Sequence, residues 1–461
     1  ARASGMHLWD FLFFCEGASA SLGKGDLDSA SAYLRQMAPF LGTGQTINQA
    51  YFHHISSWHA ALKGDIPHAL SLEEKADAWV TDAGWECGIA LGTVNMARLE
   101  NEIGNTEAAS GHLEKASRIA RRMRSPILEY QCSLVHADIA FLRGDEESGL
   151  ASLGKALSIG REKGYFHYEC WIPSFMTRLC VKTLEEGIEV PYVQELIRRR
   201  NLVPESPPLD VEYWPWPVRI YTLGQFEILR DGKPLTFSRK VQKRPLSLLK
   251  AVIAFGGRGV REEQLADAVW PEAEGDAAAQ SFSVAVSRLR HLLGHDAALQ
   301  RREGLVSLDP RYCWVDAFAF ERIHGEAASL WEARQTGKSV ETAERAAGLY
   351  RGPFLAEGAR HSWTVAMRER LRSKYLRTVG RLGEQWQGEE RWDKARECYE
   401  KGIEVDNLAE EFYQGLMICY LECGRKAEAI AVYNRLKKIL APLGVAPSPK
   451  TRNLLESLLP V

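Results

Sequence analysis

Between Arg239 and Arg261 the chain carries seven Lys and Arg residues and no Asp or Glu. Cations clustered this densely are suited to neutralising phosphates, so Arg239, Lys243 and Arg244 are expected to grip a nucleic-acid backbone. Further on, Gln280, Ser281, Val284, Ser287, Arg288 and His291 fall on one face of a helix turning every 3.6 residues. That mixture can read base edges: Arg grips guanine, Gln pairs with adenine and an apolar side chain touches a thymine methyl. Arg301 and Arg302 stand beside Glu303-Gly304, a hairpin tip, where they could reach phosphates or the minor groove. From Glu262 to Asp276 there are six acids (Glu262, Glu263, Asp267, Glu272, Glu274, Asp276) and no Lys or Arg. Acids repel phosphate, so this stretch is expected to face away from a duplex.

Other candidate chemistry is weaker. Gly149 to Lys155 has the spacing of a phosphate loop, but Ala156 lacks the hydroxyl that would ligate magnesium and no strand precedes it. His53, His54 and His59 have no zincin spacing. Cys419 and Cys423 lie one turn apart with no second ligand pair at zinc spacing, so the nine cysteines read as free thiols in a reducing cytosol. No Ser/His/Asp order or pair of catalytic acids stands out. The chain is read as a non-enzyme that needs no cofactor and no metal.

Positioning these side chains takes a compact set of elements. Val218–Gly224 and Phe226–Leu229 alternate as strands, Asp231-Gly232 supplies a turn, and Pro234–Phe237 reads as a further short strand. Leu246, Leu249, Val252 and Ile253 make the basic run an amphipathic helix. A short helix from Glu262 ends at Pro271, and another begins near Asp276, a residue type that caps helix N-termini. Its apolar residues Phe282, Val286, Leu289 and Leu293 form one buried stripe. Ala298–Arg302 and Leu305–Leu308 then flank the hairpin tip.

The segments VRIYTLGQF (218–226), RKVQKRPLSLL (239–249), LADAVWP (265–271), SRLRHLL (287–293) and SLDPRYCWVD (307–316) resemble the winged-helix domain of OmpR-type response regulators. They resemble more closely its variant in antibiotic-regulatory-protein activators, whose bacterial transcriptional activator domain the following helical region resembles. The resemblance places Gln280, Ser281, Val284, Ser287, Arg288 and Arg290 on the recognition helix and Arg301 and Arg302 in the wing. It implies that the loop holding Glu272, Glu274 and Asp276 meets RNA polymerase through its sigma or alpha subunits. Many relatives have a basic residue or His where this chain has Gln280, Ala285 and Ser287, so base preference does not transfer.

Helical repeats flank this unit. Gly25-Asp26, Gly64-Asp65, Gly104-Asn105 and Gly144-Asp145 recur every 39 or 40 residues, each followed five positions after the glycine by Ala30, Ala69, Ala109 or Gly149. Glycine ends one helix, the acid or amide starts the next, and the small residue lets paired helices approach. A degenerate fifth unit is expected around Gly187. The period exceeds the roughly 34 residues of tetratricopeptide repeats and resembles the extended form in MalT-like regulators. Near the other end, Glu390–Ala395 recurs as Gly424–Ala429, a shift of 34 residues. Between the sets, five prolines from Pro204 to Pro217 forbid a continuous helix, and Trp214 and Trp216 are expected to pack on the adjoining sheet. Aromatics at Tyr51, Phe52, Trp58, Tyr165, Phe166, Tyr168 and Trp171 could form an inner surface for an effector or partner, or could pack between repeats.

The expected fold is mainly α: two tetratricopeptide-like solenoids flanking an α+β OmpR-type winged helix. The expected domains are a sensor or interaction array (1–203), a Pro-rich linker (204–217), the winged helix (218–316) and an activator domain (317–461). At 461 residues, 45% hydrophobic and 26% charged, the chain can bury large cores. A net charge of −2 means that any DNA affinity must come from local clustering. No apolar run approaches the about 18 residues of a membrane span. The chain starts at Ala1 inside an apparent repeat helix, which implies a piece of a longer cytoplasmic bacterial regulator. The resemblance implies that full-length relatives often carry a nucleotide-hydrolysing module ahead of the array. The expected function is transcriptional activation by binding double-stranded DNA. The rival is a scaffold or effector-binding solenoid whose winged helix binds protein.

Overall fold

A computed structural model describes residues 10–42, 46–204, 208–209, 211, 213–236, 243–272, 275–358 and 361–456, except the side chains of residues 275, 276, 278 and 358. The chain is mainly helical and divides into two compact units, with the division inside the Pro-rich segment. Trp214 and Trp216 are both buried.

The first unit consists of helical hairpins. In order these are α1 (Asp10–Lys24) with α2 (Leu27–Met37), α3 (Thr46–Leu62) with α4 (Ile66–Asp82), and α5 (Glu86–Glu102) with α6 (Thr106–Met123). They continue with α7 (Pro126–Leu142) and α8 (Glu146–Lys163), then α9 (Pro173–Glu185) and α10 (Val190–Arg200). The repeat signature sits at the hairpin turns. Gly25, Gly64, Gly104 and Gly144 have φ between 77° and 83°, which other residues reach only at a cost. Asp26, Asp65 and Asp145 accept from the backbone N of Ser29, His68 and Ser148 at 3.0, 3.2 and 3.1 Å, satisfying an orphan amide of the next helix. Ala30, Ala69 and Ala109 are fully buried between paired helices. At the fourth equivalent position a Cβ on Gly149 would lie 2.4 Å from the Phe141 ring, so the methyl is absent. Gly187, with φ 66°, ends the first helix of the fifth hairpin.

The segment between α8 and α9 does not follow the repeat. It crosses the first helices of the hairpins: the Trp58 indole N–H donates to the Trp171 carbonyl at 3.0 Å, and Tyr168, Cys170, Trp171 and Ile172 are buried. Tyr130 packs against both Tyr165 and Tyr168, and Phe166 against Tyr192. Arg178 bridges to Glu102 at 2.9 Å, and Arg200 donates to the Gly23 carbonyl at 2.7 Å. Most of the aromatics expected to face an effector therefore pack on the array's own strap. The phosphate-loop look-alike lies inside α8, where helical hydrogen bonds already use the amides.

The second unit opens with β1 (Val218–Tyr221), β2 (Glu227–Arg230) and β3 (Lys233–Pro234). Next come α11 (Lys243–Ala254), β4 (Val260–Arg261), α12 (Glu262–Val269), α13 (Gly275–Leu293), the hairpin β5 (Leu299–Arg302) and β6 (Leu305–Leu308), and β7 (Cys313–Val315). One sheet has the order β3-β2-β1-β7, antiparallel except for the parallel β1–β7 pair; the other runs β4-β6-β5. The third strand is two residues long, and Phe237 lies outside the described residues. Helices α14 (Asp316–Glu332), α15 (Thr336–Leu349), α16 (Val365–Gly388), α17 (Trp392–Val405), α18 (Glu410–Glu422), α19 (Lys426–Leu440) and α20 (Pro449–Glu456) follow.

One core runs through both parts of this unit, from Val218 in β1 to Leu440 at the end of α19. The joint is Asp316, 1% exposed, whose carboxylate accepts from Thr222 N and Oγ1 (2.8 and 2.6 Å), Leu223 N (2.9 Å) and Ala317 N (2.7 Å). Burial outweighs these hydrogen bonds and raises its pKa. Leu355 N also donates to the Thr222 carbonyl at 2.8 Å, so the helical region ties back to the end of β1. The 34-residue repeat appears in the turns before α17 and α19: Glu390 (φ 59°) matches Gly424 (φ 72°), and Ala395 and Ala429 are fully buried.

Candidate nucleic-acid interface

Helix α13 is built as its periodicity requires. Phe282, Val286, Leu289 and Leu293 are at most 3% exposed and pack into the core with Leu248, Leu249 and Val252 of α11. The opposite face is therefore left to solvent, and Gln280, Ser283, Val284, Ser287, Arg288 and His291 are exposed there, with Ser281 half-buried. Val284 is 44% exposed on this face. Gln280, Ser281, Val284 and Arg288 share a shallow groove of ≈ 330 Å³ with Arg244, Pro245, Trp270 and Ala285.

The cations expected at phosphates take different positions. Lys243 is exposed at the start of α11, and Arg239 lies outside the described residues. Arg244 is anchored at the end of α12, where its guanidinium lies 5.9 Å from the Trp270 ring centroid and donates to the Val269 carbonyl. Arg302 is exposed near the wing tip and has no ion-pair partner among the described residues; the same holds for Arg288.

Two arginines depart from expectation. Arg290 is half-buried and its Nε donates to the Leu299 carbonyl at 3.0 Å, so it fixes the first wing strand to α13 and does not join the exposed stripe. Arg301 is held by Glu262 through two 2.6 Å hydrogen bonds and reaches Ser283 Oγ at 3.2 Å. The hydrogen bond to Glu262 raises its pKa above the usual arginine value. Glu262 N also donates to the Gly304 carbonyl at 2.9 Å, so the start of α12, the wing tip and α13 form one clamped unit. Ser283 was not singled out from the sequence, and Glu262 was read only as one of six acids facing away from a duplex, whereas it holds a wing arginine: Arg301 is 39 residues from Glu262 and 18 from Ser283, and no local pattern marks such pairs.

At the wing base, Asp309 accepts from Gln300 Nε2 at 2.7 Å and pairs with Arg311 at 2.6 Å. Burial opposes its charge, but Arg311 prevails and lowers the pKa. Glu272 is exposed in the loop after Pro271. Glu274 lies outside the described residues; Asp276 falls in the first turn of α13, with its side chain outside the description. The arrangement offers a polar helix face, a wing with an arginine that has no ion-pair partner among the described residues, and an anchored cation at their junction. Such a surface suits a major groove and its bordering phosphates.

The family match falls on the helical part of this unit, and the matches to individual proteins are longer. Residues 315–459 match the family described as bacterial transcriptional activator domain. The regulatory protein AfsR of Streptomyces coelicolor is 27% identical over 256 residues, covering 52% of this chain and 24% of the relative. AfsR of Streptomyces griseus is 27% identical over 252 residues with the same coverage. The chain is thus similar to regulators of the antibiotic-regulatory-protein type, with a helical repeat array ahead of that region. It spans about a quarter of the length of these curated relatives. Among solved structures, Mycobacterium tuberculosis EmbR in complex with a low-affinity phosphopeptide is 21% identical, with a TM-score of 0.45, covering 52% of this chain and 65% of that one. No helix among the described residues is long and apolar enough to cross a membrane.

Proposed function

We propose that the chain is a sequence-specific DNA-binding transcriptional activator. The observation that carries this reading is the exposed face of α13: short polar groups, the exposed Arg288 guanidinium with no ion-pair partner among the described residues, and a solvent-facing valine, backed by a tightly packed apolar stripe. Gln280, Ser281, Val284, Ser287 and Arg288 are assigned to base edges, and Lys243, Arg244 and Arg302 to phosphates, with Arg239 completing the basic run. Arg301 and Arg290 hold the wing in place. Residues 218–316 serve as the reader and 317–461 as the activator region, while 1–203 form a sensing array joined by the linker 204–217. Titrating the full chain with random duplex DNA at two salt concentrations tests the reading. Binding that weakens steeply with salt supports it, and a flat response favours a protein-binding winged helix.

Glu272 and Glu274 are proposed to contact RNA polymerase, because the loop after Pro271 is acidic and Glu272 is exposed. Replacing both with Ala should leave promoter occupancy intact and lower transcription several-fold. Full transcription from the double variant would remove the polymerase from this loop.

A further inference from the structure

Gln280, Val284 and Arg288 follow one another at four-residue intervals, so they stand in one line along the exposed face of α13, about 6 Å apart at 1.5 Å per residue. This line is one wall of the ≈ 330 Å³ groove, and Arg244 and Pro245 of α11 with Trp270 at the end of α12 make the other. Pro245, Trp270 and Ala285 line the groove yet are buried, so its floor is apolar, while Gln280, Ser281, Arg244 and Arg288 give it a polar rim. Val284 stands exposed on the wall above that floor.

The walls are held in place from behind. Trp270 packs edge-on against Phe282 of α13 with ring centroids 6.1 Å apart, and the Arg244 guanidinium is fixed by the Trp270 ring and the Val269 carbonyl. Side chains anchored in this way lose little freedom when a partner docks. Being shallow, the groove suits the edge of a base and not an enclosed small molecule.

Major-groove edges differ in what they bring to an apolar floor. Adenine, guanine and cytosine present donors and acceptors, which would lose hydrogen bonds to water against Pro245, Val284 and Ala285. Thymine adds a methyl group at C5, and cytosine methylated at C5 carries the same group in the same place. Burying one group of that size is worth about fourfold in affinity.

We propose that this groove is a subsite for the C5-methyl group of a pyrimidine, with Val284 as the side chain that senses it. Resting on the DNA-reading role of α13, the subsite makes binding sensitive to methylation of the duplex as well as to its sequence. Arg288, about 6 Å further along the helix, lies within two steps of the about 3.4 Å rise between base pairs, so a guanine is expected within two positions of the pyrimidine.

The test titrates the intact chain with a duplex that it selects from a random pool. Each thymine is replaced in turn by deoxyuridine, which removes only the methyl group, and each cytosine by 5-methylcytosine, which adds one. The expected result is at least one thymine whose replacement weakens binding about fourfold, and a cytosine placed at that position should bind about fourfold more tightly when methylated. In Val284→Ser, which changes an exposed side chain and no core contact, the paired duplexes should differ by less than about twofold. Neutral deoxyuridine at every thymine together with neutral methylation at every cytosine would overturn the subsite, as would full methyl sensitivity in Val284→Ser. Sequence-selective binding in either case leaves the DNA-reading role of α13 standing, whereas failure to select any duplex would overturn that role and the subsite with it.

Discussion

At the scale of single residues, the side chains assigned to DNA differ mainly in how free they are. Arg288 is exposed and unpaired among the described residues, whereas Arg301 is spent on Glu262. Equal reach was expected for Arg301 and Arg302, and only the three-dimensional pairing separates them. Glu262→Gln is predicted to loosen the clamp. Arg301 would then be available to phosphate, and the slope of log K against log salt should steepen by about 1. An unchanged slope, measured by titration with random duplex, would mean that the clamp does not restrain Arg301. The exposed face of α13 was legible because a buried stripe with helical period fixes the opposite face. The turn of Arg290 toward Leu299 was not, because helical phase says nothing about where a long side chain bends.

At the scale of elements, close packing and buried charge set the sensitivities. Gly149 on α8 faces Phe141 of the preceding helix, so Gly149→Ala should destabilise the array by roughly 1–3 kcal/mol through overpacking. A midpoint in chemical denaturation equal to the parent's would contradict this. His324 of α14 shares a 2.8 Å hydrogen bond with Thr378 of α16. Its pKa is lowered to about 4 by burial and by Arg377, Lys374 and Arg381, against the opposing pull of Glu321. Because the native imidazole stays neutral where the unfolded one takes a proton, its stabilisation is present above about pH 6.5 and is lost as pH falls toward 4. Replacing it in His324→Gln should flatten the stability of the second unit over that window; an identical pH profile would contradict the assignment. Repeat turns and the wing hairpin could be read from sequence because glycine, capping acid and turn pair act locally. The strap could not: Trp58 and Trp171 meet across 113 residues, and Asp316 and Thr222 across 94.

At the scale of the whole molecule, the winged-helix part and the region that matches the bacterial transcriptional activator domain share one continuous core. Residues 218–316 were expected as a domain of their own, yet their core continues into the helices that follow, because the Asp316 joint and the strand-like contact at Leu355 bind the two together. The net charge of −2 gives no overall attraction to a polyanion, so the proposed DNA binding rests on the cations gathered around α11, α13 and the wing. The most direct measurement compares the intact chain with Arg288→Ala on two duplexes, one selected from a random pool by the parent protein and one of random sequence, at low and high salt. If α13 reads bases, the substitution should cost roughly 1–3 kcal/mol on the selected duplex and much less on the random one, and both proteins should bind more weakly as salt rises. Equal losses on both duplexes would reduce Arg288 to a phosphate contact, and salt-insensitive binding would contradict DNA recognition by this surface.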